Sequence, residues 1–284
     1  MKTRCGATDV AFFSGHDEVA EVSEFHLRYA LAQHVCVKTN VIPTLRKRPA
    51  NERGQSDHGW LQARFTFSFA RYVDPDHMGF KALRVMNNET IQPRGGFPIH
   101  PHSDMEIFTY VIDGQLAHKD SMGNGAVIEA GNLQYMSAGS GVTHSEFNPS
   151  QAHQTHLYQV WLHPRERGGE PRYAEIPMGD AAPPNTLSLL FSGSGRDGST
   201  EIRQCAEIFF GRIDARRALD VPASESMPHV WLQVISGGID VLGEILNAGD
   251  GLAIENQADG FRIQGLSNES RLLAFRLNEP TSSQ

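Results

Sequence analysis

A chain of 284 residues can bury one or two full cores, and 39% hydrophobic with 20% charged residues is the composition of an ordinary soluble globular protein. The net charge of -8 excludes a nucleic-acid binder built on a basic face. No apolar run approaches membrane-spanning length, which argues against a membrane protein. Cys5, Cys36 and Cys205 are scattered and odd in number, which suggests a reducing compartment rather than a disulfide framework. Asp9, Asp17, Glu18 and Glu21 interrupt any signal-peptide pattern, so the expected location is cytoplasmic.

Residues 1–41 read as an N-terminal extension. Val22, Phe25, His26 and Tyr29 recur at helical spacing there and predict at most one short helix. From Ile42 the pattern is all-β, with short runs rich in Phe, Val, Ile and Tyr between turn clusters. Phe65, Phe67 and Phe69 alternate with Thr66 and Ser68, as a half-buried strand does. Thr109 to Ile112 predicts a strand, with a hairpin turn at Asp113-Gly114 and a further one at Asn124-Gly125. Many short strands with frequent turns imply a sandwich or barrel.

The chain also repeats itself. Residues 111–116 resemble 234–239, 129–132 resemble 247–250, and 156–162 resemble 271–277. Matches in one order at similar offsets predict two copies of one β unit. The division is set at 42–170 for the first domain and 171–284 for a linker and the second. The same offset places His100 and His102 on Ala223 and Glu225, so the second copy is predicted to keep the frame without the site.

The chemistry concentrates between Gly95 and Glu146. Residues two apart on a strand point to one side. His100 and His102 therefore share a face, and so do His144 and Glu146. Two such pairs facing each other would form a metal site of three imidazoles and one carboxylate. Those donors suit iron, manganese, cobalt, nickel, copper or zinc. No cysteine lies near to make a structural zinc site. Pro98 and Pro101 stiffen the first segment, and Gly139 and Gly141 let the second turn tightly. Glu106, four residues after His102, is a competing carboxylate. The remaining histidines, among them His58, His77, His118 and His229, read as ordinary hydrogen-bonded residues. Trp60, Trp161 and Trp231 read as core.

His100-x-His102-x-x-x-Glu106 and Gly139-x-Gly141-x-x-His144 are similar to the two signatures of the cupin barrel. The longer strings resemble the pirin family: His100-Pro101-His102, Met105-Glu106, His118-Lys119-Asp120-Ser121 and the run from Gln134 to Glu146. Asp57-His58-Gly59-Trp60 and His77-Met78-Gly79 resemble the bacterial quercetinase-type pirins in particular. The likeness covers roughly residues 42–280.

The resemblance implies a bicupin, two jelly-roll-like double-stranded β-helix barrels. It implies one divalent metal, iron foremost, held by His100, His102, His144 and Glu146, with Glu106 left as a supporting carboxylate. It implies a dioxygenase that opens the heterocycle of flavonols such as quercetin, with Glu146 as general base and dioxygen as co-substrate. An iron-binding, redox-responsive regulator acting through protein partners is the alternative implied. Ser103 stands where the family usually has arginine, which removes a positive charge beside the site.

Overall fold

The computed structural model describes residues 42–279. The predicted extension and its helical stripe lie outside them. The described chain forms two β-barrels of matching topology, each a seven-stranded sheet faced by a four-stranded one. In the first barrel the larger sheet runs in the order Arg172–Ile176, Leu133–Ser137, Glu106–Asp113, Thr155–Leu162, Leu83–Ile91, Leu61–Phe65, Gly54–Asp57. The smaller sheet runs Gly96–His102, Val142–Phe147, Gln115–Asp120, Gly125–Glu129.

The second barrel repeats this order. Its larger sheet runs Thr44–Arg48, Gly251–Glu255, His229–Ser236, Ser270–Leu277, Ala206–Ile213, Thr186–Ser192, Thr200–Glu201. Its smaller sheet runs Ala218–Val221, Phe261–Gly265, Gly238–Val241, Glu244–Asn247. The repeat in the sequence is thus two barrels in space. Among the described residues no helix is long and apolar enough to cross a membrane.

Two strands cross between the halves. Thr44–Arg48 precedes the first barrel yet pairs antiparallel with Gly251–Glu255 of the second. Arg172–Ile176 follows the first barrel and closes its sheet against Leu133–Ser137. The sheets therefore do not divide at residue 170.

The largest apolar core lies between the barrels, where the two seven-stranded sheets pack back to back. Phe108 meets Phe191 at 4.7 Å, and Tyr110 meets Phe210 at 5.1 Å. Alternation along Glu106–Asp113 explains this. Phe108 and Tyr110 point to that core, while Ile107, Thr109 and Val111 point into the barrel.

The phenylalanine run differs from expectation. The alternating strand is Leu61–Phe65, and the chain then leaves the sheet. Residues 65–68 are all buried, because the turn is enclosed on both sides. Phe67 packs on Trp231 at 4.9 Å, whereas Phe69 packs on Trp161 at 5.5 Å. Three aromatic residues in alternation here serve three contacts rather than one strand face.

Candidate metal centre

The site lies inside the first barrel, on the four-stranded sheet. Gly96–His102 pairs with Val142–Phe147 so that His102 stands opposite Val142 and His144 opposite His100. The register then slips, and Glu146 faces Phe97. This is a β-bulge on the first strand, where Pro98 has no N–H to offer the ladder. The bulge leaves Ile99 outside and turns both histidines inward. Gly96 is needed beside it, since a Cβ there would sit 2.3 Å from the Glu146 carbonyl oxygen.

The structure brings together the three predicted histidines. The nearest ring nitrogens of His100, His102 and His144 all lie within 4.8 Å of one another. His100 Nδ1 donates to the Pro98 carbonyl at 2.8 Å, which leaves Nε2 with its lone pair free. His144 is buried, and neither of its ring nitrogens has a hydrogen-bond partner. A buried imidazole left so is costly unless something else satisfies it. Burial, reinforced by the charge of His100, depresses the pKa of His102 to about 4. Burial and the neighbouring histidines depress that of His144 to about 3. Both rings are neutral at physiological pH, the state in which imidazole binds a metal.

Glu146 lies deeper. Its carboxylate falls within 4.8 Å of His144 and His118 rather than of the outer pair. Gln159 Nε2 donates to Oε2 at 3.1 Å, and the Thr109 hydroxyl stands 3.5 Å from Oε1. Burial, then the charge of Glu89, raises the Glu146 pKa to about 8 despite those hydrogen bonds. Glu89 is itself raised to about 7 by burial, with Asn87 donating to it at 3.1 Å. A cation next to Glu146 would favour its ionised form and reverse that shift.

His118, read from sequence as an ordinary histidine, lies within 4.8 Å of His144 and Glu146, but both of its ring nitrogens are already hydrogen-bonded. Its Nε2 donates to Asp120 at 3.2 Å and its Nδ1 accepts from Gln134 at 3.0 Å. Its ring packs 5.3 Å from that of His144 and stacks on Tyr173 at 5.0 Å. Glu106 is turned the other way, toward the core between the barrels. It accepts from Tyr135, Ser137 and the backbone N–H of Arg203. The structure therefore sets Glu146, not Glu106, beside the histidines.

The opposite wall comes from the seven-stranded sheet, in rows set by strand register. Val85, Trp161, Ile107 and Met136 stand side by side in one row. Asn87, Gln159, Thr109 and Gln134 form the next. Trp161 lays its edge against His102 at 4.9 Å, so the apolar row borders the histidines and the polar row borders Glu146. Sequence reasoning missed Thr109, Gln159 and Trp161 as parts of the site. The signal for the first two was there: a polar residue at an inward position of an otherwise apolar strand. Phe97 stands 6.2 Å from His100 and packs on Trp60.

A free imidazole cluster with a carboxylate alongside is a donor set for a divalent transition metal. The orphaned nitrogens of His144 fit such an ion.

Comparisons with known proteins agree with this architecture. The pirin family model matches residues 46–162, and the model of the quercetinase C-terminal cupin domain matches residues 189–277. A protein named quercetin 2,3-dioxygenase from Escherichia coli (strain K12) is 46% identical over 232 residues, which cover 81% of this chain and 97% of its own. A pirin-like protein of Caulobacter vibrioides is 38% identical over 213 residues, covering 75% and 91% of the two chains. The crystal structure of YhhW from Escherichia coli has a TM-score of 0.79 at 40% identity and covers 85% of this chain and 100% of that one. YhhW has also been solved as a bacterial pirin in complex with nickel(II). Two cupin barrels, the histidine cluster of the first and these relatives together place the chain in the pirin family.

Proposed function

We propose that the protein is a metal-dependent dioxygenase that opens the heterocyclic ring of flavonols such as quercetin. The observation that carries this is the juxtaposition inside the first barrel. Neutral imidazoles with free nitrogens lie between a buried carboxylate and an apolar wall containing Trp161. The name of the 46%-identical Escherichia coli relative supports the same reaction class.

His100, His102 and His144 would hold the ion through nitrogen and Glu146 through oxygen. Iron is the proposed metal; the nickel complex of YhhW shows that a relative accepts another first-row ion. When bound, the metal supplies a positive centre that acidifies the flavonol 3-hydroxyl and a redox-active partner for dioxygen. Glu146, held in its ionised form by the adjacent cation, would accept the hydroxyl proton. Gln159 and Thr109 keep the carboxylate aimed at the histidines. Trp161 and its row exclude water and give the flat aromatic substrate an apolar face. In the net reaction both oxygen atoms of dioxygen enter the organic product, a depside ester, and one carbon leaves as carbon monoxide.

The test is incubation of metal-loaded protein with quercetin under air and under argon, following flavonol absorbance and carbon monoxide. Loss of absorbance with carbon monoxide release in air alone is the expected result. No loss with any first-row metal would overturn it.

A further inference from the structure

Where the strand Thr155–Leu162 ends, the surface opens into a recess of about 350 Å³ that shares no lining residue with the metal centre. Small-molecule sites fall between roughly 300 and 1,000 Å³. Met78 and Leu83 contribute its apolar lining, and Lys81, Arg84, His163 and Glu279 the polar one. Backbone pairing fixes these residues against each other. His163 N–H donates to the Ala82 carbonyl at 2.9 Å, and Leu162 stands opposite Leu83.

The charge of the recess is the reverse of the chain's. The protein carries a net -8, yet two cations line the recess against one carboxylate. Lys81 Nζ donates to both oxygens of Glu279, at 3.0 and 3.1 Å, and stands 3.1 Å from Glu255. Glu255 also meets Arg46 at 3.3 Å. Arg46 and Lys81 thus balance Glu255 and Glu279, and the charge of Arg84 is left over. Among the described residues Arg84 has no carboxylate partner.

Arg84 is nevertheless held in place. Its Nη1 donates to the Ser68 carbonyl at 2.6 Å. That bond orients the guanidinium plane and leaves the edge formed by Nε and Nη2, a fork that grips a carboxylate through two parallel bonds. His163 beside it is half-buried. Burial, then the charges of Arg84 and Arg167, holds its imidazole below the ordinary pKa. A ring kept neutral by two guanidinium groups marks a positive field. The chain already sets one carboxylate in that field: Glu279, although 65% exposed, places Oε1 on Lys81 and 2.7 Å from His229 Nε2.

From this we infer that the recess is a second ligand site, one for a small organic carboxylate with an apolar body. Arg84 takes the carboxylate on its Nε–Nη2 edge, the His163 imidazole donates beside it, and Met78 covers the apolar part. Glu279 competes with the ligand for the same field. The inference stands apart from the flavonol reading, because it uses none of the residues placed at the metal centre.

The experiment is calorimetric titration of metal-loaded protein under argon with benzoate and with benzamide, its uncharged isostere. Wild type is expected to bind benzoate about tenfold more tightly than benzamide. Arg84→Gln is expected to weaken benzoate about tenfold, and Arg84→Lys about threefold, since an ammonium keeps the charge and loses the fork. Glu279→Gln is expected to tighten benzoate about threefold by removing the competing carboxylate, a gain that a damaged fold does not produce. His102→Ala is expected to leave benzoate binding unchanged. Benzoate binding that is no tighter than that of benzamide, that is unmoved by Arg84→Gln, or that does not tighten with Glu279→Gln overturns the inference. So does its loss in His102→Ala, which would put benzoate on the metal. Flavonol turnover by the wild type is measured separately, so the two readings fail independently.

Discussion

The two barrels share a topology and differ in what fills them. In the first, the row Asn87, Gln159, Thr109 and Gln134 faces His118, His144 and Glu146 across the interior. In the second, the corresponding row is Phe209, Ala274, Leu232 and Leu252. His118 pairs with Glu146 in the first barrel, and Val241 pairs with Ile263 at the corresponding place in the second. Every one of those second-barrel side chains belongs to a single apolar cluster. The fold therefore has no need of a polar interior. Where one occurs, its desolvation is a burden on the barrel that a bound cation would relieve.

The comparison breaks most visibly at Glu146. Glu146→Gln is expected to lower flavonol turnover by about 10²–10⁴-fold while most of the metal stays bound, as read by steady-state kinetics beside metal analysis. Turnover that survives would mean the polar row serves no proton transfer.

Glu106→Ala tests the opposite assignment. It strips Tyr135, Ser137 and the Arg203 N–H of their shared acceptor, so stability should fall by about 2–4 kcal/mol with metal content intact. Denaturant unfolding and metal analysis decide it, and loss of metal without loss of stability would return Glu106 to the site.

The pH dependence of the metal-free protein above neutrality should carry the mark of the first barrel's buried glutamates. His102 and His144 stay unprotonated where the unfolded chain takes up protons, so their contribution is lost as pH falls below their ordinary 6.5 toward about 4 and about 3. Glu146 and Glu89 keep protons that the unfolded chain releases, so theirs is lost as pH rises from the ordinary 4.5 toward about 8 and about 7. The two trends oppose each other between the two ordinary values, and the glutamate loss remains above 6.5. Thermal melts should therefore show a decline on the order of 2 kcal/mol between pH 6.5 and pH 8. Metal loading should flatten the decline; a melt that rises with pH would contradict the buried, protonated glutamates.

The smallest change is Thr109→Val, which converts one position of the polar row to the chemistry of its Leu232 counterpart at nearly constant volume. The loss is about 1 kcal/mol or less, from the hydrogen bond to Gln159. The pH midpoint of turnover should move upward, because Glu146 loses a supporting hydroxyl. An unmoved midpoint would show that Thr109 does not hold the carboxylate.

Much of this was legible in the sequence. Period-two alternation put His100 with His102 and His144 with Glu146, and the internal repeat found the second barrel. The hairpins after Ile112 and at Asn124-Gly125 are where turn chemistry placed them. What stayed hidden depended on contacts between distant segments. Trp161 meets His102 only because two sheets close on each other. His118 looks like any strand histidine until Asp120 and Gln134 are seen to occupy its nitrogens. The pairing of Thr44–Arg48 with a strand two hundred residues away has no local signature, since an edge strand carries no mark of its partner.

That exchange of edge strands has a practical consequence. A fragment cut at residue 170 would leave Leu133–Ser137 without its outer neighbour and release Thr44–Arg48 as an unpaired ribbon. Each bared border is a template for another chain, so the separated halves should clump when made singly and recover when made together. The two barrels are laced like the halves of a clasp, and a cut that ignores the lacing leaves each half short of an edge.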